Sequence, residues 1–126
     1  MFCDWWDTDM SEHANVTTFV ACDQVIQEQG SGKKTLVGIF RNFHLQRLPS
    51  RYGAPWFIFA QITNVDPGKH DVTLNIVHDE TQGVVFAAGL EIPDGHPPNL
   101  DLVIPCQGTE FHKEGKHVFT LNMDGS

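Results

Sequence analysis

Hydrophobic and polar residues alternate along most of this chain in short segments, and a turn signal closes each segment roughly every ten residues. The turn signals are rich in Gly, Asp and Lys and fall at residues 29–33, 66–69, 81–83, 93–95, 113–116 and 124–125. Alternation with a period of two indicates β-strands that bury one face. Short strands at this spacing are typical of antiparallel β-sandwiches and small barrels rather than of helical or α/β proteins.

The pattern predicts seven or eight strands and no convincing helix. The clearest alternation lies in residues 70–79, where Val72, Leu74 and Ile76 share one face. The densest apolar run, residues 56–63, is expected to be a central strand covered on both faces. Further strands are predicted at residues 16–26, 35–40, 42–48, 84–92, 100–104 and 117–123, the first two joined as a hairpin. We therefore expect an all-β fold, an antiparallel immunoglobulin-like β-sandwich.

Length and composition favour one domain with an N-terminal leader. A chain of 126 residues can bury a hydrophobic core without disulfides. Residues 1–15 have no strand pattern and place Trp5 and Trp6 among acidic residues, whereas residues 16–126 are predicted to form a single β-sandwich domain. We expect the leader either to be flexible or to dock through its tryptophans. An alternative start at Met10 would make the preceding residues an extension of the reading frame.

The net charge of −8 limits the classes of partner. Sixteen acidic residues against eight basic ones leave no basic stripe to neutralise phosphates, so we expect neither nucleic-acid binding nor docking on anionic membranes. No signal peptide or membrane-spanning run is visible. Cys3, Cys22 and Cys106 form no CxxC pair, which favours a reducing, cytoplasmic setting. Cys22 is expected in the core, whereas Cys106 can be exposed at a strand end.

Seven histidines make a metal site worth testing against the sequence. Zinc or iron on a β-scaffold usually takes two histidines one residue apart on a strand, and no HxH is present. The candidate ligands are the cluster His78, Asp79 and Glu80 together with His112 and His117, which flank a glycine turn. We expect no cofactor and no metal, and a small metal-dependent enzyme or metal-binding barrel is the alternative.

The sequence gives weaker signals for nucleophilic catalysis and for phosphate binding than for a metal site. Asp23 and His44 could join a Ser or Cys in a triad, but no GxSxG context is present, so no catalytic residue is assigned. Asp23 is expected instead to anchor a neighbouring loop or turn. The segment from Gly30 to Lys33 is similar to a fragment of a phosphate-binding loop, yet it joins two strands, and a hairpin turn accounts for its glycines.

The C-terminal strand and one loop are candidates for binding. A hairpin-turn signal at residues 124–125 follows the strand of residues 118–123, and no returning strand comes after it. We therefore expect an open sheet edge, which a second copy of the chain or another protein could cover by strand addition. The loop of residues 93–99 is either a binding tip or a rigid connection.

Several strings of residues resemble an uncharacterised family of small bacterial or phage β-sandwich domains. They are Ala21-Cys22-Asp23-Gln24-Val25-Ile26, Gly32-Lys33, Leu36-Val37-Gly38-Ile39-Phe40, and Glu114-Gly115-Lys116-His117 running to Asp124-Gly125. The resemblance covers roughly residues 16–125. It implies the sandwich fold and an intracellular setting, and it brings no activity, cofactor or site residue with it.

Together these observations favour a non-catalytic binding module that acts through a sheet edge or its loops. The expected partner is a second copy of the chain, forming a homodimer, or another protein. A structural subunit of a larger assembly is a further alternative.

Overall fold

In the computed structural model, all regular structure of the described residues is β-strand, which confirms the all-β prediction. The structure describes residues 15–42, Leu48 and residues 50–124. The strands in these residues are β1 (Asn15–Gln27), β2 (Lys34–Phe40), β3 (Ser50–Arg51), β4 (Phe57–Thr63), β5 (His70–His78), β6 (Val84–Ile92), β7 (Leu100–Pro105), β8 (Glu110–Phe111) and β9 (His117–Met123). The seven longer strands match the predicted ones, while the two-residue strands β3 and β8 were not predicted. Residues 43–47, where a short strand was expected, lie outside the described residues.

The long strands form two antiparallel sheets. One has four strands in the order β2-β1-β4-β7, and the other has three in the order β6-β5-β9. The predicted hairpin of β1 and β2 is present, and β4 is central, paired with β1 on one side and β7 on the other. The immunoglobulin-like arrangement is not confirmed, because a constant-type domain combines its first, second, fourth and fifth strands in one sheet. Here the four-stranded sheet takes the first, second, third and sixth long strands.

The core lies between the two sheets, as in a β-sandwich. Alternate side chains of β4, among them Ile58 and Ile62, face alternate side chains of β5 and β9 such as Leu74 and Leu121, and all of these are buried. Trp56, immediately before β4, is fully buried and its ring contacts Phe119 at a centroid distance of 6.2 Å. Burial of apolar area at this interface is the main stabilising term of the fold.

The short strands β3 and β8 pair with each other and fix the chain that leads into the β8–β9 loop. Tyr52 N donates to Thr109 O at 2.9 Å, and Thr109 Oγ1 donates to Cys106 O at 2.8 Å. Cys106 is fully buried, so its predicted position at an accessible strand end is wrong. The strand end is covered because β3 and β8 add a small layer there.

The distal half of the β1–β2 hairpin curves back toward β7. Lys34 of β2 pairs with Gln27 of β1. On the other side of the sheet, Asp101 of β7 pairs with Gln61 of β4, and Gln61 pairs with Thr18 of β1. Gln27 and Thr18 are nine residues apart, about 30 Å in a flat strand. Lys34 Nζ nevertheless lies 3.2 Å from Asp101 Oδ2. The hairpin therefore bends over the sheet instead of extending it.

Gly38 occupies a special backbone position in this hairpin. Its φ is +69°, in the left-handed region that favours glycine. It lies between Val37 and Ile39, which pair with Gln24 and Cys22, so it faces Asp23. A Cβ added at residue 38 would overlap the Asp23 carboxylate. Asp23 is exposed, and its side chain lies against the neighbouring strand at this point.

We expect Gly38→Ala to lower the free energy of unfolding by about 1–2 kcal/mol from backbone strain, with a further loss from displacing Asp23. Gly30→Ala is the matched control, because Gly30 also has a positive φ (+94°) but no neighbour within 4 Å of an added Cβ. Urea unfolding would measure both. Adding Asp23→Ala to Gly38→Ala should restore part of the difference, and equal losses in the two glycine variants would contradict this account.

Candidate functional site

Two loops at one end of the sandwich enclose a cavity of about 230 Å³. One is the turn between β5 and β6, residues 79–83, and the other is the loop between β8 and β9, residues 112–116. Three histidines line the cavity, namely His78, His112 and His117. We refer to it below as the histidine cavity.

His78 is a buried structural histidine whose two ring nitrogens are both used. Nε2–H donates to Glu114 O at 2.8 Å, and Nδ1 accepts from Thr81 N at 3.2 Å and lies 3.0 Å from Thr81 Oγ1. These bonds require the neutral ring with its proton on Nε2. His78 thereby ties the β5–β6 turn to the β8–β9 loop, and a further bond from Asp79 N to Lys116 O at 3.0 Å joins the same two segments.

His117 is fully buried at the start of β9, and its Nδ1–H donates to Gly115 O at 3.1 Å. Its ring lies edge-on to that of His78, with centroids 5.0 Å apart, and edge-on to that of Phe111 at 5.3 Å. Such edge-to-face contacts are favourable between rings. The three rings pack together, and those of His78 and His117 line the cavity.

The sequence indicated His78, Asp79 and Glu80 as candidate metal ligands, but in the structure their side chains do not share one site. His78 points inward and is saturated by protein partners, whereas Asp79 and Glu80 are exposed. His112 is exposed, with Nε2 3.7 Å from Glu110 Oε1. In the described residues no group of three or more His, Cys, Asp or Glu side chains could hold a metal ion.

Strand parity is the signal that identifies His78 and His117 as inward-facing. Residue 78 continues the buried even positions of β5 that include Val72, Leu74 and Ile76, and residue 117 continues the buried odd positions of β9. In the sequence, His117 already alternates with Phe119, Leu121 and Met123, whereas His78 was considered only as a ligand candidate at a strand end. Extending the alternation of β5 by one step would have placed His78 in the interior as well.

The other candidate residues fall into two groups, those outside the described residues and the two buried cysteines. His44, Trp5, Trp6 and Cys3 lie outside the described residues. Cys22 is fully buried, as predicted, and burial raises the pKa of its thiol. Burial likewise raises the pKa of Cys106 to about 12, and its thiol donates weakly to Ile104 O at 3.4 Å. Because the thiolate is the reactive form, both described cysteines are poor nucleophiles.

Exposed apolar side chains cluster on the β1–β2 hairpin. Ile39, Ile26 and Val37 are 60%, 44% and 41% exposed. The register places all three on the face of the hairpin that continues the outer face of the four-stranded sheet. We call these three residues the hairpin apolar face. In the described part of the chain, β2 is an edge strand, paired with β1 alone.

The binding candidates at the opposite end are held by hydrogen bonds. The loop of residues 93–99 is joined to the β4–β5 connection by a bond from Val65 N to Pro98 O at 2.9 Å. The His96 ring lies 5.4 Å from that of His70. The predicted edge strand at the C-terminal end, β9, pairs with β5 and forms one edge of the three-stranded sheet in the described residues.

His70 and Asp124 form an ion pair that closes this end of the three-stranded sheet. Nδ1–H of His70 donates to Asp124 Oδ2 at 2.6 Å, and Nε2–H donates to Asp66 O at 2.6 Å. Two acceptors require both nitrogens to carry protons, so the ring is an imidazolium. The bond to Asp124, followed by that to Asp66, raises the pKa of His70. The bond from His70, followed by that from Asp71 N at 2.9 Å, lowers the pKa of the Asp124 carboxyl.

The fold and these sites define a small antiparallel β-sandwich domain with a histidine cavity at one end and an exposed hairpin at its edge. No helix in the described ranges is long and apolar enough to span a bilayer. The model of a family of unknown function, DUF6941, matches residues 17–126, and the chain belongs to this family. The resemblance to an uncharacterised family is thereby confirmed. Comparison with curated proteins and with solved structures gave no match.

The His70–Asp124 pair predicts a defined pH dependence of stability. The raised pKa of His70 contributes stability that is fully present below its ordinary value of 6.5 and is lost as pH rises through the folded-state pKa. The lowered pKa of Asp124 contributes stability that is present above 3.8 and is lost as pH falls through its folded-state value. Thermal unfolding across this range should show the pair most stabilising between the two ordinary values.

Asp124→Asn should lower stability near pH 6 and flatten its decline above 6.5. His112→Gln is the control, since His112 is exposed and lies 3.7 Å from its carboxylate neighbour. An unchanged decline in Asp124→Asn would show that other groups carry the pH dependence.

Proposed function

We propose that this protein is a non-catalytic binding module that associates with a second copy of itself through the β2 edge and the hairpin apolar face. The observation that carries the proposal is the concentration of exposed large apolar side chains on this one hairpin. Contiguous exposed apolar surface on a folded domain marks an interaction site. An edge strand offers unpaired backbone groups beside it.

Residue types along β2 support pairing with another strand. Sheet edges are usually protected from association by charges or proline, and β2 has neither along residues 35–40. Lys34, at its first position, is bound to Asp101. The opposite edge strand β7, in contrast, carries Asp101 and ends at Pro105. The β2 edge is therefore the less protected of the two edges of the four-stranded sheet.

In a two-fold symmetric dimer, the same β2 edge of both copies can form the contact. If β2 pairs with itself antiparallel about Val37, each Thr35 lies opposite Ile39 of the other copy and each Leu36 lies opposite Gly38. Within β2 no like charges oppose each other in this register, and the one like-charge pair, Lys33 opposite Arg41, falls just beyond the strand at both ends of the contact. A closed two-fold contact of this kind is the commonest form of homo-oligomer.

As the dimer contact, the β2 edge is favoured over the β9 edge because its outward side chains are more apolar and more exposed. The outward side chains of β9 are Val118, Thr120 and Asn122, which are half-buried and mostly polar. They offer less apolar area to a partner than the hairpin apolar face does. The sequence indicated a sheet edge near the C-terminus, and the proposal moves the contact to the edge where the apolar side chains are exposed.

Light scattering coupled to size-exclusion chromatography tests the proposal. We expect a dimer for the wild-type chain and a monomer for Val37→Lys and Ile39→Lys, because each substitution places a charge within the paired strands. Higher ionic strength should strengthen the dimer, since it screens the repulsion between two acidic copies.

Val84→Lys is the matched control, because Val84 is 62% exposed and lies on the other sheet. This variant should remain dimeric. A wild-type monomer at all concentrations, or equal dissociation by Val84→Lys, would contradict the proposal. Assemblies larger than a dimer would contradict it as well and would favour a structural subunit.

A further inference from the structure

The histidine cavity is a preformed pocket rather than a gap between moving loops. The bond from His78 Nε2 to Glu114 O and the bond from Asp79 N to Lys116 O fasten its two sides together. His78 N also donates to Gly83 O at 2.8 Å, which closes the β5–β6 turn. Ligand sites are usually concave, largely apolar and formed before the ligand arrives. The cavity meets each of these conditions.

The walls of the cavity are apolar. Val84 and Val85 line it together with the imidazole rings of His78 and His117. The two rings are 4% and 0% exposed, so the valines present most of the accessible surface. The ring nitrogens of His78 are occupied by protein partners, so the ring adds an apolar lining instead of a hydrogen-bonding atom. Packed rings of this kind favour an apolar or aromatic group against them.

The charged side chain at the mouth of the cavity is Lys113, next to His112. Within the described part of the chain, no Asp or Glu lines the cavity, although the chain has twice as many acidic as basic residues, 16 against 8. Glu110 is not among the lining residues, although its Oε1 lies 3.7 Å from His112 Nε2. Lys113 is therefore the group that would meet a ligand's charge, and the charge it favours is negative.

We propose that the histidine cavity binds a small monocarboxylate with an apolar or single-ring body. The body lies against Val84, Val85 and the imidazole rings, and the carboxylate meets Lys113 at the mouth. The volume of about 230 Å³ limits the size of the ligand, since pockets that hold drug-sized molecules measure roughly 300–1,000 Å³. This site is independent of the proposed dimer contact, because it lies on the other sheet.

Benzoate is the probe, and benzylamine is its counterpart of similar size and opposite charge. In a titration followed by ¹H–¹⁵N correlation spectra, benzoate should produce saturable shifts at the amides of Gly83, Val84 and Lys113, and benzylamine should not. Lys113→Gln should weaken benzoate binding about three- to fivefold, as expected for one exposed charge contact. Lys69→Gln, which changes an exposed lysine in the β4–β5 connection, should leave binding unchanged.

Three results would overturn the assignment. These are the absence of saturable shifts with benzoate up to its solubility limit, equal binding of benzylamine, and an unchanged affinity in Lys113→Gln. Because Lys113 is exposed, its substitution is not expected to affect folding. The far-ultraviolet spectrum and melting temperature of the variant verify this point.

Discussion

The packing of β4 against β5 and β9 is the interaction on which the rest of this protein depends. The apolar faces that the two sheets turn toward each other are covered by this contact. The two described cysteines are free thiols, so no disulfide between them supplements this contact. Because β4 also pairs along both of its edges, it holds the four-stranded sheet together as well as the sandwich. Both candidate sites lie at the periphery of this central unit.

The two proposals divide the molecule into surfaces with different physical character. The β1–β2 hairpin presents exposed apolar side chains on a strand that leaves the body of the sandwich and curves back, held by the Lys34–Asp101 ion pair. The histidine cavity is instead bounded by two loops that hydrogen bonds fasten to each other. A broad, open apolar face suits a macromolecular partner, whereas a small concave volume suits a small molecule.

The sequence predicted the strands well because alternation is a local property. Val72, Leu74 and Ile76 could be assigned to one face of β5 without knowing its neighbours, and the dense run around Ile58 indicated a central strand. The curvature of the hairpin could not be predicted, since Lys34 and Asp101 are 67 residues apart and no local pattern connects them. The His70–Asp124 pair spans 54 residues and was missed for the same reason.

Only part of the histidine cavity could be predicted from the sequence. Of the two histidines that flank Gly115, His117 alternates in the sequence with Phe119, Leu121 and Met123, and this set is the buried face of β9. No comparable pattern in the sequence indicates where His112 lies. The contact of His78 with the β8–β9 loop depends on the pairing of β5 with β9, which brings His78 opposite His117. Such pairing between distant segments follows from the whole fold rather than from the residues around either histidine.

The strand order also determines how this chain must acquire its structure. The β5–β6 hairpin is local, but β5 completes its sheet by pairing Val72 with Met123, and β1 joins β4 by pairing Asn15 with Thr63. A two-stranded hairpin alone is marginally stable in water. Both sheets therefore form only after long loops have closed, which places folding in the slow class of β-rich domains. While those loops are open, residues 35–40 of β2, which carry no charge, are exposed to other chains, so the edge proposed for specific association is also a segment prone to premature aggregation.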